Sequence, residues 1–209
     1  MSRLQSSDSS LWEACSGNKL ARVKKYLRGG ADINKVNSDY YGFSPLMIAL
    51  DKKHEDIVRF LLTCDGLDCN IVSSNGWTTI WLACYNASHD IVTSIVGRSL
   101  HINTKCSDYG DTPLHATLYN KKFASSRVLL GSSSIDVNIV NNKGLSILWC
   151  ACYDGASEDI ITSIVHKTSD SLVNKKCDYY NNTPIMAAVY YNKSESHYRS
   201  ERKQFFCKK

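Results

Sequence analysis

Residues 110–138 read GDTPLHATLYNKKFASSRVLLGSSSIDVN and contain one complete structural unit. The unit opens at a glycine turn and passes into a helix start at residues 112–115, where a proline is tolerated because its missing N–H is not needed there. A polar break at residues 121–122 separates this short helix from a second one, whose apolar residues at 128–130 form one face. One helical pair cannot bury that face by itself, so the stretch predicts stacked neighbours.

The turn glycine recurs at a fixed interval along the chain. Gly42, Gly76, Gly110 and Gly144 are 34 residues apart, and Asn181 takes the same place after a gap of 37. Internal repetition at this period is typical of helical pairs that stack side by side. The sequence therefore predicts an all-α solenoid of helix-turn-helix units joined by turn or hairpin loops.

The repeated unit resembles the ankyrin repeat. Residues 112–115, TPLH, match that family's helix-opening motif, which has degenerate copies at residues 44–47 and 183–186. Residues 30–34, GADIN, match the family's closing signature. Weaker versions of this signature end at four later asparagines: Asn70, Asn103, Asn138 and Asn174. The resemblance covers residues 10–192 and implies about six repeats, the first and last of them degenerate.

The repeats depart from the family pattern at a few residues. Thr117 replaces the usual alanine of the first helix, and Thr79 and Ile147 replace the helix-opening proline. Because proline presets the backbone of the first helical turn, we expect repeats three and five to begin less rigidly. Repeat five also holds an extra residue within 155–158 and a longer tail at 166–171, both of which we expect in loops.

The chain divides into a terminal segment, a repeat domain and a tail. Residues 1–9 are serine-rich and form a flexible N-terminal segment, and the ankyrin-repeat domain spans residues 10–192. Its repeats are expected at residues 10–41, 42–75, 76–109, 110–143, 144–180 and, as a partial repeat, 181–192. Residues 193–209 lack the Ile-Val-x-x-Leu-Leu pattern of a docking second helix and carry six Lys or Arg against two Glu. They are either a polar, degenerate cap or frayed end, or a basic contact for an acidic partner or an anionic surface.

Composition is that of a soluble intracellular protein. The 209 residues are 43% apolar, and the formal net charge is +5, of which residues 193–209 supply +4 (six cations minus two anions). The start of the chain has no apolar run of signal-peptide length, and the longest run elsewhere, residues 147–153, is too short to span a bilayer. Nine cysteines without Cys-x-x-Cys spacing indicate reduced thiols rather than a disulfide framework. We expect a cytoplasmic protein, with the nucleus as the alternative compartment.

A second, longer period of two repeats is superimposed on the first. Trp12, Trp81 and Trp149 occupy equivalent positions in repeats one, three and five. The even repeats carry other residues at that position: Met47, His115 and Met186. The joining loops alternate too, with an Asp-Tyr pair before each even repeat and Asn-Ile-Val before repeats three and five. We infer a duplicated two-repeat module in which large and small residues interlock between neighbours.

The first helices carry a column of tyrosines. Tyr85, Tyr119, Tyr153 and Tyr190 lie nine residues after their turn residue, pointing about 140° away from the buried fourth residue at 100° per residue. By ankyrin resemblance the first helices line a concave groove, and helices packed roughly 8 to 10 Å apart would spread four rings over about 25 to 30 Å. Tyrosine supplies rigid contact area, so the column is a candidate partner-binding surface. The alternative is that each ring packs on the next repeat.

Polar and turn residues extend this candidate surface. Three polar side chains follow the tyrosines and would orient a partner by hydrogen bonds: Asn86, Asn120 and Asp154. The resemblance places four further residues on projecting turn tips: Trp77, Tyr109, Asp111 and Lys143. An exposed Trp77 would anchor a partner. The alternative is that a turn aromatic lies flat on the neighbouring turn.

The sequence contains no catalytic, metal-binding or cofactor-binding motif. His115 stands at the family's helix-opening position, where the resemblance implies a structural hydrogen bond with Thr112. Cys150 and Cys152 are two residues apart on a helix, where such neighbours do not share a face, so a metal pair is not expected. No glycine-rich phosphate loop or paired carboxylate arrangement occurs. We therefore expect no enzyme activity, no catalytic residue, no metal and no cofactor.

These features favour a non-enzymatic, monomeric scaffold that binds another protein through its concave first-helix face and turn tips. The alternative is the recognition segment of a larger assembly or truncated multidomain protein, such as a ubiquitin-ligase adaptor or a kinase-linked ankyrin region. Nucleic-acid binding ranks third because the basic residues are confined to the two ends of the chain. No small-molecule substrate and no membrane span are expected.

Overall fold

The structure is a computed structural model that describes residues 10–193. Helices and turns make up this range, together with three isolated β-bridges, so the predicted all-α class is confirmed. The helices are α1 (residues 10–16), α2 (Leu20–Arg28), α3 (Pro45–Asp51), α4 (Glu55–Leu62), α5 (Thr79–Asn86), α6 (His89–Val96), α7 (Pro113–Tyr119), α8 (Phe123–Leu130), α9 (Ile147–Asp154), α10 (Glu158–Lys167), α11 (Asp170–Val173) and α12 (Pro184–Lys193), with a short 3-10 helix at Ser38–Tyr40. The segment predicted at residues 1–9 and the tail beyond Lys193 lie outside the described residues.

The helices come in pairs at the predicted spacing. Helices α3 and α4 form the pair of repeat two, and α5 with α6, α7 with α8 and α9 with α10 form the next three. Repeat five departs from the expectation that its extra length lies in loops, because Asp170–Val173 folds into the short helix α11. Its other extra residue sits at Gly155, which ends α9 in the left-handed conformation.

The first helices of repeats two to six are each capped by a hydroxyl side chain. Ser44, Thr78, Thr112 and Ser146 are spaced by 34 residues, and each accepts a hydrogen bond from the backbone N–H three residues later. Thr183 receives the same bond from Met186 at 3.4 Å. A cap of this kind contributes about 1 kcal/mol by pairing an N–H that the helix leaves open. Helices α5 and α9, which lack the opening proline, have the same cap as the others.

The turn before each cap requires a left-handed residue. Gly110 and Gly144 have φ of 66° and 68°, and Asn181 has φ of 49°, so the prediction that Asn181 takes the glycine's place is confirmed. Asparagine adopts this region at lower cost than other side chains because its short polar group can hydrogen-bond locally. The longer gap before repeat six therefore preserves the turn geometry.

Asparagines of the closing signature tie each repeat to the next. The Asn34 side chain donates to the Gly66 carbonyl at 2.7 Å and accepts from the Asp68 N–H at 2.9 Å. Asn70 makes the same pair of bonds to Arg98 and Leu100, and Asn138 makes it to Lys167 and Ser169. One amide thus satisfies both a carbonyl and an N–H where a second helix ends.

By contact density the described residues divide into two compact units, one ending at Ile135 and the other beginning at Asp136. In the first unit the apolar faces of α3, α5 and α7 are buried, with Leu46, Ile80 and Leu114 each at 0% exposure. Thr117, the departure from alanine, is also fully buried, and its hydroxyl is paired with that of Ser126 at 2.9 Å. In the second unit α9 is buried against α10 and α12.

Replacing Gly144 by alanine is expected to destabilise the second unit by about 2 to 4 kcal/mol. The left-handed backbone costs any L-residue roughly 1 to 2 kcal/mol, and the added Cβ would also lie 2.9 Å from the Asp178 amide nitrogen. Gly66→Ala is the matched control, because Gly66 also has positive φ (74°) but has no heavy atom within 4 Å of the added Cβ. Thermal unfolding of the two variants should show the larger loss for Gly144→Ala, and equal losses would contradict the close contact.

Candidate interaction surface

The tryptophans of the odd repeats hydrogen-bond to the turn of the following repeat. The Trp12 indole N–H donates to the Phe43 carbonyl at 3.0 Å, and that of Trp81 donates to the Asp111 carbonyl at 3.1 Å. Trp149 donates to the Asn182 side-chain oxygen at 2.8 Å. Each acceptor residue immediately precedes the hydroxyl cap of an even repeat. The two-repeat periodicity of the sequence thus corresponds to a repeated hydrogen bond that joins an odd repeat to the next even one.

Tyrosines of the odd repeats stack on these indoles. The Tyr85 ring lies 5.1 Å from Trp81 with an interplanar angle of 13°, and Tyr153 lies 4.8 Å from Trp149 at 14°. Both tyrosines are half-buried. One ring face therefore packs on the protein's own tryptophan, while part of each ring stays accessible to solvent.

The tyrosines of the even repeats are held differently. The half-buried Tyr119 donates its hydroxyl to Asp111 Oδ1 at 3.4 Å, and its ring lies 6.1 Å from that of His115. Tyr190 on α12 is 55% exposed. The column therefore contains rings in three environments rather than four equivalent exposed ones.

The structure corrects the expected role of Asp154. Its side chain is only 1% exposed, so it does not offer a hydrogen bond to a partner. Asn86 is half-buried, and Asn120 is exposed, with its amide donating to the Ala116 carbonyl at 2.8 Å. Residues at one helical offset thus differ in exposure because their neighbours differ.

The turn tips also differ from the expectation. Trp77 is half-buried with its ring edge-on to Trp81 at 4.5 Å, so it packs on a neighbouring aromatic instead of standing out as an anchor. Asp111 is 2% exposed and accepts from Tyr119, which corrects its expected place on an accessible tip. Tyr109 and Lys143 are half-buried, and the Lys143 ammonium lies 5.4 Å from the Tyr179 ring.

Sequence reasoning missed an exposed group in repeat six. Tyr179 and Tyr180 are 51% and 42% exposed, and Ile185 of α12 is 69% exposed. In the sequence, the Asp-Tyr pair at residues 178–179 indicated only that the joining loops alternate. The apolar pattern of α12 predicted burial, since the same pattern is buried in the earlier repeats.

The His115 side chain and the thiols of Cys15 and Cys152 lie in surroundings that favour a structural role. The Thr112 backbone N–H donates to His115 Nδ1 at 3.2 Å, which is the capping bond that the family resemblance implies. Burial raises the pKa of the Cys15 thiol to about 12 and that of Cys152 to about 11, so both thiols stay protonated and weakly nucleophilic near neutral pH. Among residues 10–193, no three His, Cys, Asp or Glu side chains are grouped so as to hold a metal ion.

A family model for ankyrin repeats (three copies) matches residues 3–73 and 65–141, and the chain belongs to the ankyrin repeat family. Ankyrin repeats are generally protein–protein interaction modules and are typically non-enzymatic. The family model thus covers the first four predicted repeats, and the recurring cap and turn extend the pattern through repeats five and six.

Three curated relatives show partial similarity. An ankyrin repeat protein of Fowlpox virus (strain NVSL) is 29% identical over 129 residues, covering 61% of this chain and 37% of the viral protein. An ankyrin repeat protein of Rickettsia bellii is 28% identical over 96 residues, covering 46% of this chain and 93% of the bacterial one. The human transient receptor potential cation channel subfamily A member 1 is 28% identical over 154 residues, which are 70% of this chain and 14% of the channel. The chain therefore spans little more than a third of the viral relative and a seventh of the human one.

A helix must be long and apolar to cross a bilayer. Within residues 10–193, no helix combines the length and the apolar character that crossing a bilayer requires.

Replacing Trp81 by alanine is expected to cost about 3 to 5 kcal/mol, because the change leaves a cavity in a site that is only 3% exposed. It also removes the hydrogen bond to the Asp111 carbonyl and the platform of Tyr85. Trp81→Phe should cost less, about 1 to 3 kcal/mol, since most of the ring volume remains. Urea unfolding followed by circular dichroism tests the order, and an unchanged midpoint for Trp81→Ala would refute the packing role.

Proposed function

We propose that this protein is a non-enzymatic interaction module that binds another protein through the first helices of its repeats. In the first unit the binding surface comprises Tyr85, Asn86, Tyr119 and Asn120, here called the tyrosine–asparagine face. The observation that carries the proposal is the combination of partial exposure and fixed position in these side chains. Helices α5 and α7, which bear them, pack against each other.

Rigid, partly exposed aromatic rings are suited to binding proteins. Stacking on Trp81 fixes Tyr85, and the bond to Asp111 restrains Tyr119, so little side-chain entropy remains to be lost on binding. Tyrosine is enriched among residues that dominate binding energy. The amides of Asn86 and Asn120 would add donors and acceptors beside the rings and fix a partner's register.

The remaining predicted residues take different parts in the proposal. In the second unit, Tyr153 and Tyr190 are candidate contacts on α9 and α12. Tyr109 stays a candidate at a turn tip. Trp77 and Asp111 act by positioning the rings of the first unit rather than by touching a partner.

The finer properties of this module also belong to the proposal. We place the protein in the cytoplasm as a monomeric scaffold, with the nucleus as the alternative compartment, and we assign it no catalytic residue, metal or cofactor. The partner is another protein rather than a small molecule or nucleic acid.

A second candidate function is the recognition segment of a larger assembly. It is favoured by the partial coverage of the relatives, since the matched region is 37% of the viral protein and 14% of the human channel. A ubiquitin-ligase adaptor and a kinase-linked ankyrin region are two such arrangements. A full-length transcript distinguishes the two functions, because an open reading frame that continues into more repeats or a catalytic domain would favour the second.

The double variant Tyr119→Ala, Asn120→Ala is expected to weaken partner binding by about 30-fold or more, the loss typical of a binding hot spot. Affinity purification with quantitative mass spectrometry, using the wild type and the variant as baits, should show a protein retained by the first and depleted with the second. The partner then identified gives the affinity ratio by direct titration. Leu100→Glu is the matched control, since Leu100 is 84% exposed and lies outside the face.

Circular dichroism of the double variant separates binding from folding. Unchanged helical content together with lost binding would support the tyrosine–asparagine face. Lost helical content would show that Tyr119 is part of the core, and equal recovery of all proteins by both baits would contradict the proposal.

A further inference from the structure

Helix α12 exposes residues that the corresponding helices bury. Ile185, Met186 and Val189 are 69%, 49% and 50% exposed. The residues equivalent to Ile185 in the four preceding repeats are Leu46, Ile80, Leu114 and Leu148, which are 0%, 0%, 0% and 4% exposed. The residues equivalent to Met186 are Met47, Trp81, His115 and Trp149, of which none exceeds 3%. The surface of α12 thus has the composition of an interface between helices.

Helices cover the corresponding parts of the earlier first helices, and α9 packs against both α10 and α12. Helix α9 packs against α10, whose aliphatic pairs at residues 160–161 and 164–165 follow two acidic residues, Glu158 and Asp159. Helix α12 is ten residues long, whereas α3, α5, α7 and α9 have seven or eight. It therefore continues as helix where the others have turned toward their second helix.

An aromatic turn leads into this surface. The Tyr180 ring is stacked on Trp149 at 5.3 Å with an interplanar angle of 4°, and Tyr179 meets Tyr180 edge-on at 4.7 Å. Tyr179 and Tyr180, which are 51% and 42% exposed, add apolar area at the turn that leads into α12. Exposed apolar residues grouped on one helix and the turn that leads into it are typical of interaction sites in soluble proteins.

The turn has a basic character. The Lys143 ammonium lies 5.4 Å from the Tyr179 ring, and Lys175 and Lys176 are exposed just before the turn, with Asp178 as the one acidic residue between them and α12. A ligand with acidic residues beside its apolar side is therefore complementary in charge.

The positive charge of the turn disfavours three other candidates for binding to α12: the chain's own tail and two arrangements of a second copy. Residues 194–209 carry five Lys or Arg against two Glu, the same sign as the turn, and lack the aliphatic pairs of α10. A second copy bound head to tail would present the charged, exposed side chains of Arg22, Lys25 and Arg28 on α2. Two copies joined through α12 about a two-fold axis would bring their basic turns together.

We propose that α12 and its aromatic turn form a second docking site, distinct from the tyrosine–asparagine face, which binds an amphipathic helix of another protein. That helix presents aliphatic residues to Ile185, Met186 and Val189, and acidic residues toward Lys143, Lys175 and Lys176. Burial of apolar surface supplies most of the affinity, and the charges fix the orientation.

A helix-stabilised, fluorescently labelled peptide with the sequence of residues 157–167, SEDIITSIVHK, is the probe. Stabilisation is needed because so short a peptide is not helical in water. Fluorescence anisotropy with the full 209-residue chain should show saturable binding that falls about tenfold or more in Ile185→Glu. Leu100→Glu introduces the same charge at another exposed leucine and should bind like the wild type.

A second peptide, in which Glu158 and Asp159 are replaced by lysine, tests the charge complementarity. It should bind more weakly than the first peptide, and the difference should shrink as salt is raised. Absence of binding, equal binding to Ile185→Glu, or equal binding of the two peptides would overturn the proposal.

Two further measurements test the other occupants. Sedimentation that shows a dimer in the wild type and a monomer in Ile185→Glu would assign the site to a second copy and refute a partner helix. Binding that occurs only after residues 194–209 are removed would assign it to the chain itself. Circular dichroism should show the wild-type helical content for Ile185→Glu, because residue 185 is already 69% exposed.

Discussion

The first helices of the repeats are apolar on nearly every side, and covering them is the constraint on which the rest of the structure depends. In α5, every residue from Thr79 to Cys84 is buried, and in α9 the same is true from Ile147 to Ala151. A short helix of this composition gains almost nothing from its own hydrogen bonds in water, since isolated helices of this length do not persist. Its stability comes from the second helix of the same repeat and from the neighbouring repeat.

Hydrophobic contact alone does not set the register between neighbouring repeats, because apolar association is not directional. Two polar contacts supply the direction. The odd-repeat indole reaches the turn of the next even repeat, as in Trp81 to Asp111, and the closing asparagine reaches the end of the next second helix, as in Asn34 to Gly66 and Asp68. These bonds tie the start of a first helix and the segment after a second helix to the preceding repeat, so they fix the register between neighbouring repeats.

Much of the fold could be predicted from the sequence, because the features that determine it are local and repeated. The glycine period, the hydroxyl caps and the closing asparagines each act within one or two repeats. Asn181, which follows a longer gap of 37, could be placed because the helix-opening motif at residues 183–186 begins two residues after it. The short helix α11 was missed because its four residues carry no periodic pattern that separates them from a loop. The flexible segment at residues 1–9 and the basic tail or cap at residues 193–209 stay predictions.

The candidate site was predicted less well, because exposure depends on neighbours that helical offset does not describe. Asn120 and Asp154 share an offset, yet one is exposed and the other is 1% exposed. Trp77 was expected on an exposed turn tip. Its ring instead packs against the ring of Trp81, which lies four residues later. Ile185 shows the converse: its offset predicts burial, yet the residue is 69% exposed.

The dependence of exposure on neighbouring residues also explains which surfaces of a repeat protein remain available for binding. Rings such as Tyr85 are left partly exposed because one face is used in packing, and that packing is what makes the other face rigid. On α12 the opposite holds, since Ile185, Met186 and Val189 are 69%, 49% and 50% exposed. A partner at the tyrosine–asparagine face would therefore meet a surface completed by the protein's own core. A partner at α12 would cover apolar residues that are exposed in the second unit, so binding there should stabilise the second unit more than the first.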